Sequence, residues 1–363
     1  MRVLVLHDVV PDDAPPDQVD ALIQARSFRE VLEGDGHTVE VQTFRNDPAP
    51  ILEFAPDLAV NLVESVEGDG KLLHVAPALL EALGIPFTGS SAAAMVVTTH
   101  KRLSKRTLAA FGVPVPEDWP RGGPTYIVKS LYEHASIGLD DSCVVPADQV
   151  EAAMARLAPR MGREVVAETF VDGRELNVSM LETLDGVVVM PIAEIAFAMP
   201  TGRKRIVGYE AKWIEGSVGW NGTPRTFDVR GIDLTEIEAL CRRCWDVLGL
   251  RGYVRVDLRI PADADGTVTG PPVVLEINAN PCVAPDSGFV AALEQAGWSL
   301  ADAVRAIVAA AMREPARRTP PPFCGRSIGE SLQITWNSSR NSASMRGSAG
   351  PVAGVQAVVC DII

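Results

Sequence analysis

No run of 18 apolar residues occurs in the 363-residue chain, and the opening MRVLVLHDVV is broken by His7 and Asp8. A membrane-spanning helix needs about 20 largely apolar residues, and a secretory leader needs a longer apolar stretch than VLVL. A cytoplasmic protein without a membrane partner is the expectation. Positive charge is also scarce, with 33 Lys and Arg against 47 Asp and Glu and a formal net charge of −14. Binding along a nucleic-acid backbone replaces counterions with clustered Lys and Arg, so this balance argues against nucleic acid as a partner. Small anions can still bind at local Lys or Arg sites.

Other absences narrow the chemistry. Six cysteines are scattered along a long chain, which fits reduced thiols better than a disulfide framework. Cys241 and Cys244 form a CxxC within CRRCWDVLGL. The helical frame and the shortage of nearby histidine favour two small residues on one helix face over a metal site. No GxGxxG follows the first strand-like run, so nothing supplies the glycine turn that brings backbone amides to a dinucleotide pyrophosphate. Neither GxSxG nor a persuasive Cys–His pairing is present, which fits chemistry that needs no covalent enzyme intermediate. There is no internal repeat.

What is present is a chain 47% hydrophobic, long enough for two or three domains. Residues 1–95 read as an open α/β layer: VLVL, a helix placing Val19, Leu22, Ile23, Val31 and Leu32 on one face and ended by Gly34 and Gly36, then TVEVQTF, LAVNLV, a helix through LLHVAPALLEAL and the short IPFTG. Residues 96–175 read as a smaller domain: the helix KRLSKRTLAAFG, Pro-rich VPVPEDWP, then strand-like TYIVKS, SCVV and REVVAETFV separated by Gly and Asp turns. Residues 176–316 carry strands around ELNVSMLE, GVVVMPIAEI, GYVRVDLRI and PVVLEINAN, a helix over 234–248 and a closing helix near 299–312. Residues 317–363, rich in Ser, Arg, Gly and Pro, read as a disordered tail. Its apolar VAGVQAVVCDII is too short for an anchor and reads as a loosely docked segment.

The sharpest constellation is Arg255-Val256-Asp257, the loop PADADGTVTGPP, and LEINANP. Two strands with so short a connection should lie side by side. Alternation puts Arg255 and Asp257 on one side of their strand, and Glu276 and Asn278 on one side of theirs. Polar groups in apolar strands need partners. Oxygen ligands from Asp257, Glu276 and Asn278 beside an Arg suit Mg2+ (or Mn2+) that also touches phosphate oxygens. The alternative is a buried Arg–carboxylate pair with an Asn turn.

Five segments, in order over residues 55–312, resemble the D-alanine–D-alanine ligases of the ATP-grasp superfamily. LLEALGIPFTGSSAAAMVVTTHKRLSKRTLAAFGVPVPEDW is similar to the linker into the family's central domain, and puts Lys101 at the ATP phosphates; alone, Lys101 reads as a solvated helix start. VKSLYEHASIGL resembles the phosphate-covering loop, with Lys129 as a point charge on phosphate and Ser136 and Gly138 as loop donors. AETFVDGRELNVSML resembles the hinge, where the backbone from Glu168 through Thr169 to Val171 would meet adenine and Glu175 the ribose hydroxyls. Out of that context Glu168 and Glu175 read as surface carboxylates. GYEAKW resembles the active-site lid, with Lys212 on phosphate or the substrate carboxylate. The stretch from RVD to NANPCVAPDSGF puts Arg255 on the tetrahedral intermediate, the Cys282 N–H in the oxyanion site and Ser287 on the acceptor's carboxylate, although Ser287 can equally be a helix N-cap.

The resemblance implies a mixed α/β and α+β chain: an ATP-grasp fold with an N-terminal open α/β (pre-ATP-grasp) domain, dimeric through that first domain. It implies an ATP-dependent, ADP-forming ligase of cell-wall peptidoglycan synthesis acting on D-alanine or similar small amino acids. ATP would phosphorylate the first carboxylate to an acyl phosphate, with Lys101, Lys129, Lys212 and Mg2+ neutralising the transferring group. Arg255 and the Cys282 N–H would stabilise the oxyanion when the amine attacks. Departures from the family pattern fall on the amino-acid pockets. LHDVVPDDAPPDQVD replaces a Gly-Gly-Ser turn and leaves no placed ammonium-binding Glu, and Val63-Glu64 replaces His-Gly before a turn that keeps Asp69 and Gly70. His134-Ala135-Ser136 stands for Gly-Ser-Ser, Trp213 for the lid tyrosine and Cys282 for the oxyanion-hole glycine. Two further readings therefore stay open: an ATP-grasp amide ligase for another carboxylate, and a nucleotide-binding pseudoenzyme.

Overall fold

VLVL is apolar toward both faces of its strand, a pattern satisfied only where a sheet is covered on both sides. In the computed structural model, which describes residues 1–313, strand β1 (Arg2–His7) is the centre of a parallel sheet. Helix α1 (Pro16–Gly34), β2 (Thr38–Thr43), α2 (Ala49–Phe54), β3 (Leu58–Asn61) and α3 (Val75–Leu83) follow, and the strand order is β2-β1-β3. Val3 and Val5 pack with Phe28 and Leu32 of α1, while Leu4 and Leu6 pack with Phe54 and Leu80. Each large side chain so buried contributes about 1.5–3 kcal/mol.

The expected apolar face of α1 is a correction. Val19, Leu22 and Ile23 are exposed, and the helix buries Asp20, Ala21, Gln24, Ala25, Phe28 and Leu32 instead. At 3.6 residues per turn Leu32 lies opposite Val19 and Ile23, so the five chosen residues do not share a face.

Helices α4 (Ala92–Thr99) and α5 (Lys101–Ala110) meet at His100, whose Nδ1 accepts from the Leu103 N–H at 3.1 Å and caps the second. Helix α4 was not expected from AAAMVVTT, which has no clear polar face. A small antiparallel sheet follows, with order β5-β4-β6, from β4 (Thr125–Ser130), β5 (Val144–Pro146) and β6 (Val165–Thr169). The stretch expected to be a turn between the last two contains α6 (Val150–Leu157), which buries Val150, Ala153 and Leu157 against the sheet. The tail read as disordered, with its apolar end, lies outside the described residues.

The third sheet is the largest. It holds β7 (Gly173–Thr183), β8 (Gly186–Val189), β9 (Ala193–Ile195), then, after short helices α7 (Tyr209–Trp213) and α8 (Val218–Asn221), β10 (Arg225–Thr226). Helix α9 (Leu234–Leu248), β11 (Tyr253–Pro261) and β12 (Val273–Asn278) complete it, in the order β10-β9-β7-β11-β12 with β8 on β7. Asp233 caps α9 through the N–H groups of Thr235 and Glu236, and Gly249 ends it in the left-handed conformation. Cys241 and Cys244 lie buried and free beside Ile237 and Trp245 on the packed face of α9, as small core residues. Helices α10 (Gly288–Gln295) and α11 (Leu300–Ala311) return to pack Phe289, Leu293, Val304 and Ile307 with Val3, Val5, Leu181 and Tyr253, joining the first sheet to the largest. Among the described residues no helix is long and apolar enough to cross a membrane.

Candidate active site

A cavity of about 380 Å3 is lined by residues of the second and third sheets, by Asp17 and Asp20 of α1, by Glu64 after β3 and by the loops above them. At its floor β11 and β12 pair antiparallel, with Arg255 opposite Asn278 and Asp257 opposite Glu276. Alternation thus brings all four onto one face, as the sequence pattern predicted. A register shift after Asp257 marks a β-bulge at Leu275, which bends the strand beside the site.

Asp257 is held from three sides. Arg255 grips both carboxylate oxygens at 2.7 and 2.9 Å, Asn177 donates to Oδ1 at 2.8 Å, and Asn278 donates to Oδ2 at 2.9 Å. Arg255 loses solvation on burial, but the Asp257 carboxylate more than compensates and pushes its pKa up. Glu276 contacts the Nδ1 of His134 at 2.5 Å and stands 3.9 Å from Lys101 Nζ. Burial alone would raise its pKa; Lys101, His134 and Lys212 overcome that and hold it well below the usual carboxylate range. Two anionic carboxylates and an amide oxygen on adjoining strands form a donor set suited to a hard cation. Among the described residues no three His, Cys, Asp or Glu cluster for a metal.

Three lysines converge above this floor. Lys101, at the start of α5 and only 4% exposed, donates to the Glu133 carbonyl at 2.6 Å. It is thus buried rather than a solvated helix start, and burial pushes its pKa down. Lys129 lies 2.5 Å from Glu168 Oε1, and Lys105 bonds the other oxygen of that carboxylate. Burial opposes ionisation of Glu168, but the two ammonium groups hold its pKa low. Glu168 is therefore a core carboxylate, 1% exposed. Lys212, on the lid helix α7, has its pKa lowered by burial and by Arg255.

At the hinge, Glu175 and Arg259 stand opposite each other in the β7–β11 pairing. Arg259 donates to Glu175 at 3.0 and 2.8 Å and to the Val171 carbonyl at 2.9 Å. Thr169 and Val171 line the cavity beside them. The loop carrying Ser136 is fastened to the lid: Ser136 Oγ donates to the Val207 carbonyl at 2.8 Å, and the Trp213 indole to the Ala135 carbonyl at 2.9 Å. Trp213 thus supplies a donor where the family pattern has tyrosine.

The opposite end takes Cys282 and Ser287. Ser287 caps α10, its Oγ accepting from the Val290 N–H at 3.2 Å, and it also lines the cavity, so the two readings coexist. Cys282 has no positive φ, so the position does not require glycine. Its thiol donates to Asp20 at 2.8 Å, and burial with the neighbouring Asp20 carboxylate pushes its pKa well up. Asp20 and Glu64 both meet the side-chain amide of Gln24, and burial raises the pKa of each, that of Glu64 to about 8.

Asn177, Arg259, Asp20 and Arg225 line the cavity and were missed by pattern reading, as was Lys105, which reaches the cavity only through Glu168. Arg259 was legible, because Arg255, Asp257 and Arg259 are successive members of one strand face. Asp20 and Gln24 were hidden in a helix judged by its apolar residues alone.

Residues 121–309, more than half of the chain, match the family model described as D-ala D-ala ligase C-terminus. A D-alanine–D-alanine ligase of Methylorubrum extorquens is 30% identical over 311 residues, covering 79% of this chain and 92% of that protein. One from Erythrobacter litoralis is 29% identical over 82% of this chain and 91% of its own length. The crystal structure of the Bacillus anthracis D-alanine–D-alanine ligase complexed with ATP shares the fold at a TM-score of 0.63 and 19% identity, covering 86% of this chain and 97% of that one. With an ATP-grasp fold, a family model that matches more than half of the chain and a relative 30% identical over 79% of it, the chain belongs to the D-alanine–D-alanine ligase family of ATP-dependent, ADP-forming ligases.

Proposed function

We propose that the protein forms a peptide bond between two small amino acids, D-alanine or a close relative, through an acyl phosphate. The observation that carries this reading is the face shared by Arg255, Asp257, Glu276 and Asn278 under Lys101, Lys129 and Lys212. Carboxylate is a poor electrophile until its oxygen becomes a leaving group, and that requires phosphoryl transfer onto a site able to neutralise charge. Lys101, Lys129 and Lys212 would hold the phosphates. Thr169, Val171 and Glu175 would hold adenine and ribose, with Arg259 fixing Glu175 and the Val171 carbonyl, and Glu168 acting through the lysines it orients. Asp257, Glu276 and Asn278 would bind Mg2+ or Mn2+, which when bound screens the phosphate oxygens and polarises the transferring group.

In the second step the acceptor amine attacks the acyl carbon and phosphate leaves. Arg255 and the Cys282 N–H would bear the oxyanion, while Ser287 receives the acceptor carboxylate. Ser136 would keep the loop closed on the lid and exclude water from the acyl phosphate. A second reading, amide formation on a different carboxylate, is favoured by the carboxyl groups of Asp20 and Glu64 lining the cavity, Glu64 falling where the family pattern has the glycine of His-Gly.

The test is ATP turnover with Mg2+ and a panel of D- and L-amino acids, with products read by mass spectrometry. D-alanine should stimulate release of ADP and phosphate and yield the dipeptide. Phosphate release with another carboxylate but no D-alanyl-D-alanine would favour the second reading; ATP binding with no stimulation by any amino acid would leave a nucleotide-binding pseudoenzyme.

A further inference from the structure

Arg225 lines the amino-acid end of the cavity without an ion pair or a side-chain hydrogen bond among the described residues. It stands on β10 opposite Ile195, exposed to solvent, and its guanidinium lies against the first residue of α10. A Cβ placed on Gly288 would come within 3.2 Å of Nη2 and 3.6 Å of Cζ. Any side chain at 288 would therefore crowd the guanidinium, and glycine leaves it room.

Three sources of positive potential meet here. One is Arg225, the second is Arg255, close enough to disfavour the charge on Arg225. The third is the start of α10 behind its cap Ser287, where first-turn N–H groups have no intrahelical acceptor. Asp286 is the one carboxylate that acts on Arg225. Arg255 already spends its paired donors on Asp257; the Arg225 guanidinium does not, and a planar carboxylate from the ligand matches its paired donors beside the first-turn N–H groups of α10.

We infer that Arg225 is a specificity-determining residue that clamps the carboxylate of the acceptor together with Ser287, restricting acceptors to free amino acids or peptides and excluding their amides. This rests on the ligase reading above and adds a second holder of the carboxylate to Ser287.

The experiment compares wild type, Arg225→Ala and Arg225→Lys, with D-alanine as donor and three acceptors: D-alanine, D-alaninamide and hydroxylamine. Hydroxylamine attacks the acyl phosphate through nitrogen, releasing phosphate and giving a hydroxamate, and has no carboxylate to be held. Arg225→Ala should raise the acceptor KM for D-alanine about tenfold or more with kcat little changed, as expected for lost uniform binding. Reactions with hydroxylamine and D-alaninamide should keep their wild-type rates, and Arg225→Lys should recover part of the KM. An unchanged KM for D-alanine, or equal slowing of the hydroxylamine reaction, overturns the inference. A wild type that releases no phosphate in any arm refutes the ligase reading and this inference with it; an active wild type with an indifferent Arg225→Ala refutes the inference alone.

Discussion

At the end of the cavity proposed to take the nucleotide, the charges are matched within the protein. Lys105 and Lys129 share Glu168, Arg259 holds Glu175, and Arg255 grips Asp257. At the end proposed to take the amino acids they are not: among the described residues Arg225 has no bonded partner, and Glu64 sits with Asp8 and Asp20. The exposed Arg225 guanidinium is solvated, and burial keeps the Glu64 carboxyl largely protonated. The second end leaves charge to be completed by the substrate, and there the chain departs from its family.

The largest effect should come from the shared floor of the two ends. Glu276→Gln keeps the size of the side chain but removes the negative charge. Amino-acid-dependent phosphate release should fall by about 10²–10³-fold or more, the scale for losing a charge-stabilising group at a reacting centre. Near-wild-type turnover in a correctly folded Glu276→Gln protein would remove Glu276 from the metal set and with it the basis of the comparison.

Next is the matched end itself. Lys105 is 5% exposed and its partner Glu168 1%, so Lys105→Met leaves a buried carboxylate with Lys129 alone. Breaking a buried pair costs roughly 3–5 kcal/mol, whereas replacing both members can be neutral. Urea unfolding should show the single variant strongly destabilised and Lys105→Met with Glu168→Leu less so. Equal stability of wild type and Lys105→Met would mean that this end is not held together by its charges.

The contrast also explains what the sequence revealed. Strand-borne features were legible: the Arg255–Asp257 and Glu276–Asn278 pairs sit where two-residue alternation places them, and the pairing register puts all four on one face, whereas Lys129 and Glu175 were singled out only by the family resemblance. Residues whose role depends on packing between distant elements were not. Lys105 reads as one more basic residue in KRLSKR, and nothing local shows that Glu168, 63 residues on, is its partner. Asp20 and Arg225 acquire meaning only when α1 and β10 are brought to one cavity. Helix α1 misled because its exposed face carries Val19, Leu22 and Ile23 while its inner face carries Asp20 and Gln24.

The smallest effect is a slope. Burial, and then the neighbouring Asp8, raise the Glu64 pKa from 4.5 to about 8, so the folded state keeps a proton that the unfolded chain has released across that window. Its stabilising contribution is complete below pH 4.5, declines as pH rises, and is lost once pH passes about 8. Glu64→Gln holds a neutral side chain at every pH and removes this decline. Melting temperatures taken between pH 5 and 8 should fall more steeply for wild type than for Glu64→Gln, by ~1–2 °C per pH unit, with ATP binding the same in both. Parallel pH profiles would mean that Glu64 is ionised in the folded protein; the donor end would then carry full negative charge at neutral pH, and a cationic amino acid would become the better donor to try first.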